Sequence, residues 1–239
     1  MKLRNLFLLS LIVFCSSAFS GGKTDKILRI LFVGNSLTYT NDLPALVTEI
    51  GKLDGTTITY TSFLLPDYSL EDHWNDGKAK AEIDKGGYDY VVAQQGPSAL
   101  AESQSLLLEY AKKFADVCKK NKSKLALFMV WPSKARSVDH DNVIISYTNA
   151  ADKTSSILCP AGLAWKYAWQ LQPELPLYSP DNFHPGVAGS VLAAFIIYGA
   201  LAEKKDFDFV KYDNCSWKNE ITNERLNILE QAALKALNK

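Results

Sequence analysis

Net charge, histidine and long apolar runs are all scarce in this chain, and each scarcity closes off a class of function. Over 239 residues, 26 Lys and Arg balance 26 Asp and Glu, so no net field recruits nucleic acid or an anionic membrane. No Lys/Arg cluster with interleaved aromatics occurs, which argues further against nucleic-acid binding. The 3 histidines are well separated and have no metal-ligand spacing, so neither a metal nor another cofactor is expected. Beyond the N-terminus no apolar run is long enough to cross a bilayer, so the mature chain is expected to lack an integral membrane segment. There is no internal repeat and no low-complexity tract.

What the sequence does have begins with a leader pattern. Lys2 and Arg4 are followed by the apolar run Leu6–Phe14 and by Ala18-Phe19-Ser20 ahead of Gly21. Small residues at alternate positions suit a signal peptidase, so cleavage after Ser20 and export to a periplasmic or extracellular space are expected. Anchoring as a lipoprotein through Cys15 ranks second, because Phe14 stands where that signal needs a small residue. Residues 21–239 are read as one domain, long enough to bury a sizeable core. Cys118, Cys159 and Cys215 then remain. One disulfide involving Cys215 and three buried free thiols are both compatible with that odd number.

Short apolar runs alternate with longer amphipathic ones. Ile27–Val33, Thr57–Leu64, Tyr88–Ala93, Leu125–Trp131 and Ile157–Pro160 read as strands. Asn41-Asp42 with Pro44 opens a helix to about Leu53. Glu102–Asn121, Asp139–Ser156, a segment opened by Pro185-Gly186, and Asn223–Leu237 carry helical spacing. This alternation predicts a parallel sheet covered on both faces, with ligands outside the carboxyl ends of the strands.

Two segments at such positions carry chemistry. Gly34-Asn35-Ser36-Leu37-Thr38 follows the first strand and exposes a serine hydroxyl at a strand-to-helix turn. There, helix N-terminal amides favour developing negative charge. Ser179-Pro180-Asp181-Asn182-Phe183-His184-Pro185 precedes a late apolar helix. Asp181 lies close enough to His184 to fix its tautomer while the other ring nitrogen takes a serine proton. Each segment alone also reads as turn or capping chemistry.

Together, Gly-Asn-Ser-Leu early and Asp-x-x-His-Pro late resemble the SGNH/GDSL hydrolase superfamily, with Asn35 where that family usually has aspartate. The resemblance runs from Ile27 to about Ala202. It implies a three-layer α/β/α sandwich of flavodoxin-like type, with a parallel sheet of about five strands. It also implies a Ser36–His184–Asp181 triad forming an acyl-enzyme on Ser36. An oxyanion hole would draw on the Ser36 and Asp67 backbone N–H groups and on Gln95 or Ser98. The implied substrate is a short acyl or acetyl ester of a small molecule or a carbohydrate. The rival reading is a catalytically impaired protein of this fold that binds a carbohydrate or other ligand. No Gly-x-Ser-x-Gly elbow is present, which disfavours an α/β-hydrolase.

Four more residue groups need weighing. His73, in Glu-Asp-His-Trp, reads as a substrate-pocket or structural residue ahead of a catalytic one. His140, in Val-Asp-His-Asp, reads as a solvated surface residue. Trp131 follows a strand and is expected to reach the ligand face, whereas Trp165 and Trp169, four apart, read as a core-facing stripe.

Overall fold

The computed structural model describes residues 26–204, 206–207, 212 and 215–239. The expected leader and its cleavage after Ser20, like Cys15, lie outside the described residues. Strands β1 (Lys26–Gly34), β2 (Thr56–Leu64), β3 (Tyr90–Ala93), β4 (Lys124–Phe128) and β5 (Ile157–Cys159) form one parallel sheet in the order β2-β1-β3-β4-β5. The inner strands β1, β3 and β4 are apolar and buried over Ile30–Val33, Val91–Ala93 and Leu125–Phe128, as strands covered on both faces must be. Edge strand β2 is rich in hydroxyl side chains and mostly exposed after Ile58.

The connecting helices are α1 (Ser36–Tyr39), α2 (Leu43–Leu53), α3 (Leu70–Asp76), α4 (Lys78–Asp84), α5 (Ala101–Lys120), α6 (His140–Thr154), α7 (Ala161–Leu171), α8 (Val187–Ala202) and α9 (Asn223–Leu237). They sort into two mutually packed groups, α2 with α7, α8 and α9, and α3, α4 and α6 around α5. This is the expected three-layer arrangement. Helix α8 is apolar on every side because it is buried on every side. The strand after Lys124 stops at Phe128, three residues short of the expected Trp131, although the chain stays buried through Pro132. Burial alone made those residues look like strand.

Cys118, Cys159 and Cys215 are all buried, and Cys118 and Cys159 are free thiols. Desolvation pushes the Cys118 and Cys159 thiols up to about 12. No described helix is long and apolar enough to cross a membrane. Among the described residues no three His, Cys, Asp or Glu side chains are grouped to hold a metal.

Candidate active site

The nucleophile segment is fixed by two amide side chains, Asn35 and Gln94, and by backbone groups beneath it. Asn35 leaves β1 in extended conformation and caps α1, its Oδ1 accepting the Leu37 N–H at 3.1 Å. Its Nδ2 donates to the Tyr68 carbonyl at 2.9 Å. A carboxylate could make the first bond but not the second, which gives a physical reason for asparagine at this position. Gln94, directly after β3, reaches under the same turn. Its Oε1 accepts the Asn35 N–H at 2.9 Å and the Thr38 hydroxyl at 2.8 Å, while Nε2 donates to the Gln95 carbonyl at 2.6 Å. A Cβ on Gly34 would lie 2.6 Å from Gln94 Oε1, so only glycine lets that amide so close. Ser36 opens α1, where its N–H has no intrahelical acceptor.

The histidine segment is a tight turn held largely by its own atoms. Asp181 Oδ1 accepts from the Ser179 hydroxyl at 2.7 Å and from the Phe183 and His184 N–H groups, each at 2.9 Å. Oδ2 lies 2.6 Å from His184 Nδ1. The bond from His184, then those from Ser179 and Phe183, hold the Asp181 carboxyl well below the usual carboxylate range. Asn182 adopts a left-handed conformation at φ 60°, and the Ser179 N–H closes the loop onto the His184 carbonyl at 2.8 Å. With Nδ1–H given to a carboxylate, His184 Nε2 is the acceptor nitrogen. It lies 2.9 Å from Ser36 Oγ. Asn41 ties the two segments together, its Nδ2 donating to the Pro185 carbonyl at 3.0 Å and to Ser190 Oγ at 2.9 Å.

The other flank of Ser36 departs from expectation. Asp67 stands at φ 60°, the conformation that glycine adopts at no cost. It borders the pocket beside Ser36. Gln95 and Ser98 border that pocket too, but their donors are already used. Gln95 Nε2 donates to Ser98 Oγ at 3.0 Å and to the Ser103 carbonyl at 3.3 Å, and the Ser98 hydroxyl donates to the Gly96 carbonyl at 2.9 Å. As oxyanion donors these two side chains are therefore corrected: they brace the loop after β3. Tyr147, wholly buried on α6, donates to the Gln95 carbonyl at 2.5 Å and so holds this loop from behind.

Three further expectations resolve. His73 is buried, with Nε2 donating to the Gly34 carbonyl at 2.8 Å, so it supports the nucleophile turn and does not line the pocket. Trp131 does not reach the ligand face. It is fully buried, stacked at 3.5 Å on Trp165, and its Nε1 donates to the Phe183 carbonyl at 3.2 Å. It thus steadies the histidine turn from below. Trp165 is buried as expected and Trp169 packs against it edge-on. His140 is not solvated: it is 8% exposed and bonds the Gly162 carbonyl through Nε2 at 2.7 Å. Its charged neighbours in sequence concealed that it opens α6 on the inner side. Gln94, Tyr147 and Asn41 were missed. Only Gln94 carried a signal, its place immediately after a strand.

A parallel sheet in this order, with a serine leaving the first strand and a histidine ahead of a late helix, gives the chain the SGNH hydrolase fold. Solved structures bear this out. A candidate SGNH hydrolase from Slackia heliotrinireducens is 22% identical, with TM-score 0.59 over 74% of this chain and 100% of its own. A DUF4886-family protein from Bacteroides uniformis is 16% identical, with TM-score 0.73 over 89% and 95%. An acetylxylan esterase from Geobacillus stearothermophilus is 16% identical, with TM-score 0.56 over 73% and 94%. At such identities the likeness speaks for the fold. No family model matches the chain. No curated protein matches it either.

Proposed function

We propose that this chain is an exported serine esterase, its residues 21–239 forming one domain, that cleaves short acyl esters through an acyl-enzyme on Ser36. The observation that carries the reading is the continuous relay from Ser36 Oγ to His184 Nε2 at 2.9 Å and from His184 Nδ1 to Asp181 Oδ2 at 2.6 Å. In the first step the Ser36 Oγ–carbonyl carbon bond forms as the hydroxyl proton passes to His184 Nε2. Collapse of the tetrahedral intermediate breaks the ester C–O bond, and His184 returns the proton to the departing alcohol. Water then repeats the sequence, releasing the acid and restoring the Ser36 hydroxyl. Asp181 stays ionised and orients the imidazole. The oxyanion is held by the Ser36 and Asp67 N–H groups, both backbone.

The size and chemistry of the cleft support a short acyl group and a polar alcohol. The pocket beside Ser36 measures about 360 Å³, with Asn35, Asp67, Ser69, Gln95 and Ser98 on its polar side and Leu37, Pro97, Leu106 and Phe183 as apolar lining against which a short acyl chain can rest. A second pocket of about 370 Å³ continues from it across Phe183 and Ser98 to Ser133, Arg136 and Asp139. The similar Geobacillus protein is an acetylxylan esterase, which suits an acetylated carbohydrate here.

One observation favours the rival, a binding protein of the same fold: the Gln95 and Ser98 donors face inward, leaving a hole of backbone groups alone. Losing one oxyanion donor costs on the order of 100- to 1000-fold in turnover. The deciding experiment is p-nitrophenyl acetate hydrolysis by the mature protein and by Ser36→Ala, with fluorophosphonate labelling of both. Hydrolysis and labelling that vanish together in the variant support the esterase. Background rates with no label on Ser36 would sink it in favour of the binding protein.

A further inference from the structure

A wide cavity lies at the end of the sheet opposite the serine. It measures about 730 Å³ and opens where β4 and β5 begin, between the end of α5 and the end of α6. Ser36 follows the carboxyl end of the parallel strand β1, so the length of the sheet, ~16 Å for a five-residue strand, separates the two sites. Lys112, Lys119, Lys122, Lys124 and Lys153 line the cavity, with Asp116 the one acid among them. Among the described residues none of these five lysines takes part in an ion pair. A chain of zero net charge thus concentrates four uncompensated positive charges in one groove.

Helix capping explains part of this cluster and not the rest. Lys119 and Lys153 lie in the last turns of α5 and α6, where cations complement the helix dipole. Lys112 is two turns earlier on α5, Lys122 sits in the turn beyond it at φ 61°, and Lys124 begins β4. For these three no helix end supplies a reason. Each long side chain shares a groove with its like-charged neighbours, which costs free energy unless an anion offsets it.

The chemistry of the walls selects among polyanions. No aromatic side chain lines the cavity to stack on bases. The surface is concave, and its apolar lining is confined to Ala115, Leu125 and Ile157, without the protruding aromatic or leucine residues that enter a bilayer interface. What remains is a trough of spaced point charges with the hydroxyls of Thr154, Ser155 and Ser156 along one wall. That pattern matches an extended chain bearing one carboxylate per sugar, its free hydroxyls between them.

We propose that this groove binds an anionic, uronate-type polysaccharide and holds the protein on it while the opposite end of the sheet remains open. The inference is independent of whether Ser36 is catalytic. The test is retention of the mature protein on immobilised polygalacturonate at low salt, eluted by a salt gradient, with neutral xylan as the matrix control. The groove variant carries Lys119→Glu, Lys122→Glu, Lys124→Glu and Lys153→Glu. The control carries Lys52→Glu, Lys78→Glu, Lys85→Glu and Lys166→Glu, the same change in net charge placed elsewhere. The expected result is retention of the natural chain and the control, with affinity about tenfold or more lower in the groove variant. Should charge reversal prevent folding, Lys112→Gln, Lys122→Gln and Lys124→Gln together test the same point. Failure of the natural chain to bind, or an equal loss in the control, overturns the proposal. Stronger retention by anionic vesicles or single-stranded DNA than by polygalacturonate overturns it as well, because it assigns the groove to another polyanion.

Discussion

The two flanks of Ser36 are built by different means. On the histidine flank, Asp181, Asn182, Phe183 and His184 lie within one short turn, and the bonds that orient the imidazole mostly join residues a few positions apart. On the opposite flank, Asn35, Tyr68, the adjacent Gln94 and Gln95, and Tyr147 come from four separate stretches of chain and are locked by bonds spanning 33 to 59 residues. Proton transfer is thus served by a local device, and charge stabilisation by a distributed one. A local device tolerates change elsewhere in the fold; a distributed one fails wherever any one tie is cut.

The largest effect should come from breaking the local side. Asp181→Asn leaves an amide facing His184 Nδ1, so the imidazole is free to take the tautomer that puts a proton on Nε2, where it cannot accept from Ser36. Turnover should fall by about 10⁴-fold with KM little changed, measured on p-nitrophenyl acetate. Unfolding by urea should move only slightly, because Asp181 is exposed. A comparable loss of stability would mean that the turn serves the fold before it serves the serine.

Next comes a cut on the distributed side. In Asn35→Asp the cap on Leu37 survives, but the donor to the Tyr68 carbonyl becomes an acceptor and the two oxygens repel. The backbone at Asp67, held at φ 60° beside that carbonyl, loses its tie. Turnover should drop about 10- to 100-fold, less than for outright deletion of an oxyanion donor, while fluorophosphonate still labels Ser36. Unchanged turnover would show that Asp67 holds its conformation without Asn35.

Gln94→Glu probes the same side through stability. Gln94 is fully buried, and its Nε2 donates to the Gln95 carbonyl. A carboxylate there loses that bond and strands a charge beside a carbonyl oxygen, at a cost of about 3 kcal/mol. Urea denaturation reads this directly. A loss below about 1 kcal/mol would mean that the site admits water or rearranges.

The same division decides what could be read from the chain itself. The alternation of strands and helices, the serine after the first strand and the Asp-x-x-His turn all rest on residues near one another in sequence. Each of these appeared where expected. The errors fall where burial or a distant partner decides the outcome. His140 looked solvated because Asp139 and Asp141 flank it, yet its ring points inward to Gly162. Trp131 looked available because it follows a strand, yet Trp165, contributed by a later helix, covers it. Gln95 and Ser98 looked like donors because their groups are polar, and nothing in their spacing reveals that the Gln95 amide is given to Ser98 and Ser103 and the Ser98 hydroxyl to Gly96. Helices α3 and α4, only seven residues each, are too short to leave a clear period.

The smallest expected effect concerns pH and sharpens the comparison from the structural side. His73 and His140 are both buried, and desolvation lowers their affinity for a proton below the ordinary histidine value. Between that lowered value and about 6.5, the unfolded chain therefore binds more protons than the folded one. Stability should be complete above about pH 7 and should decline as pH falls through that window, reaching a floor once both folded imidazoles are protonated. His73→Gln removes one titrating group. Its side-chain amide can still donate to the Gly34 carbonyl that His73 Nε2 now holds. The slope of unfolding free energy against pH in the acid window should shrink in this variant, with activity near neutrality nearly unchanged. A slope equal to that of the natural chain would assign the acid sensitivity to His140 alone. The turn beneath Ser36 would then be indifferent to protonation at its one buried base.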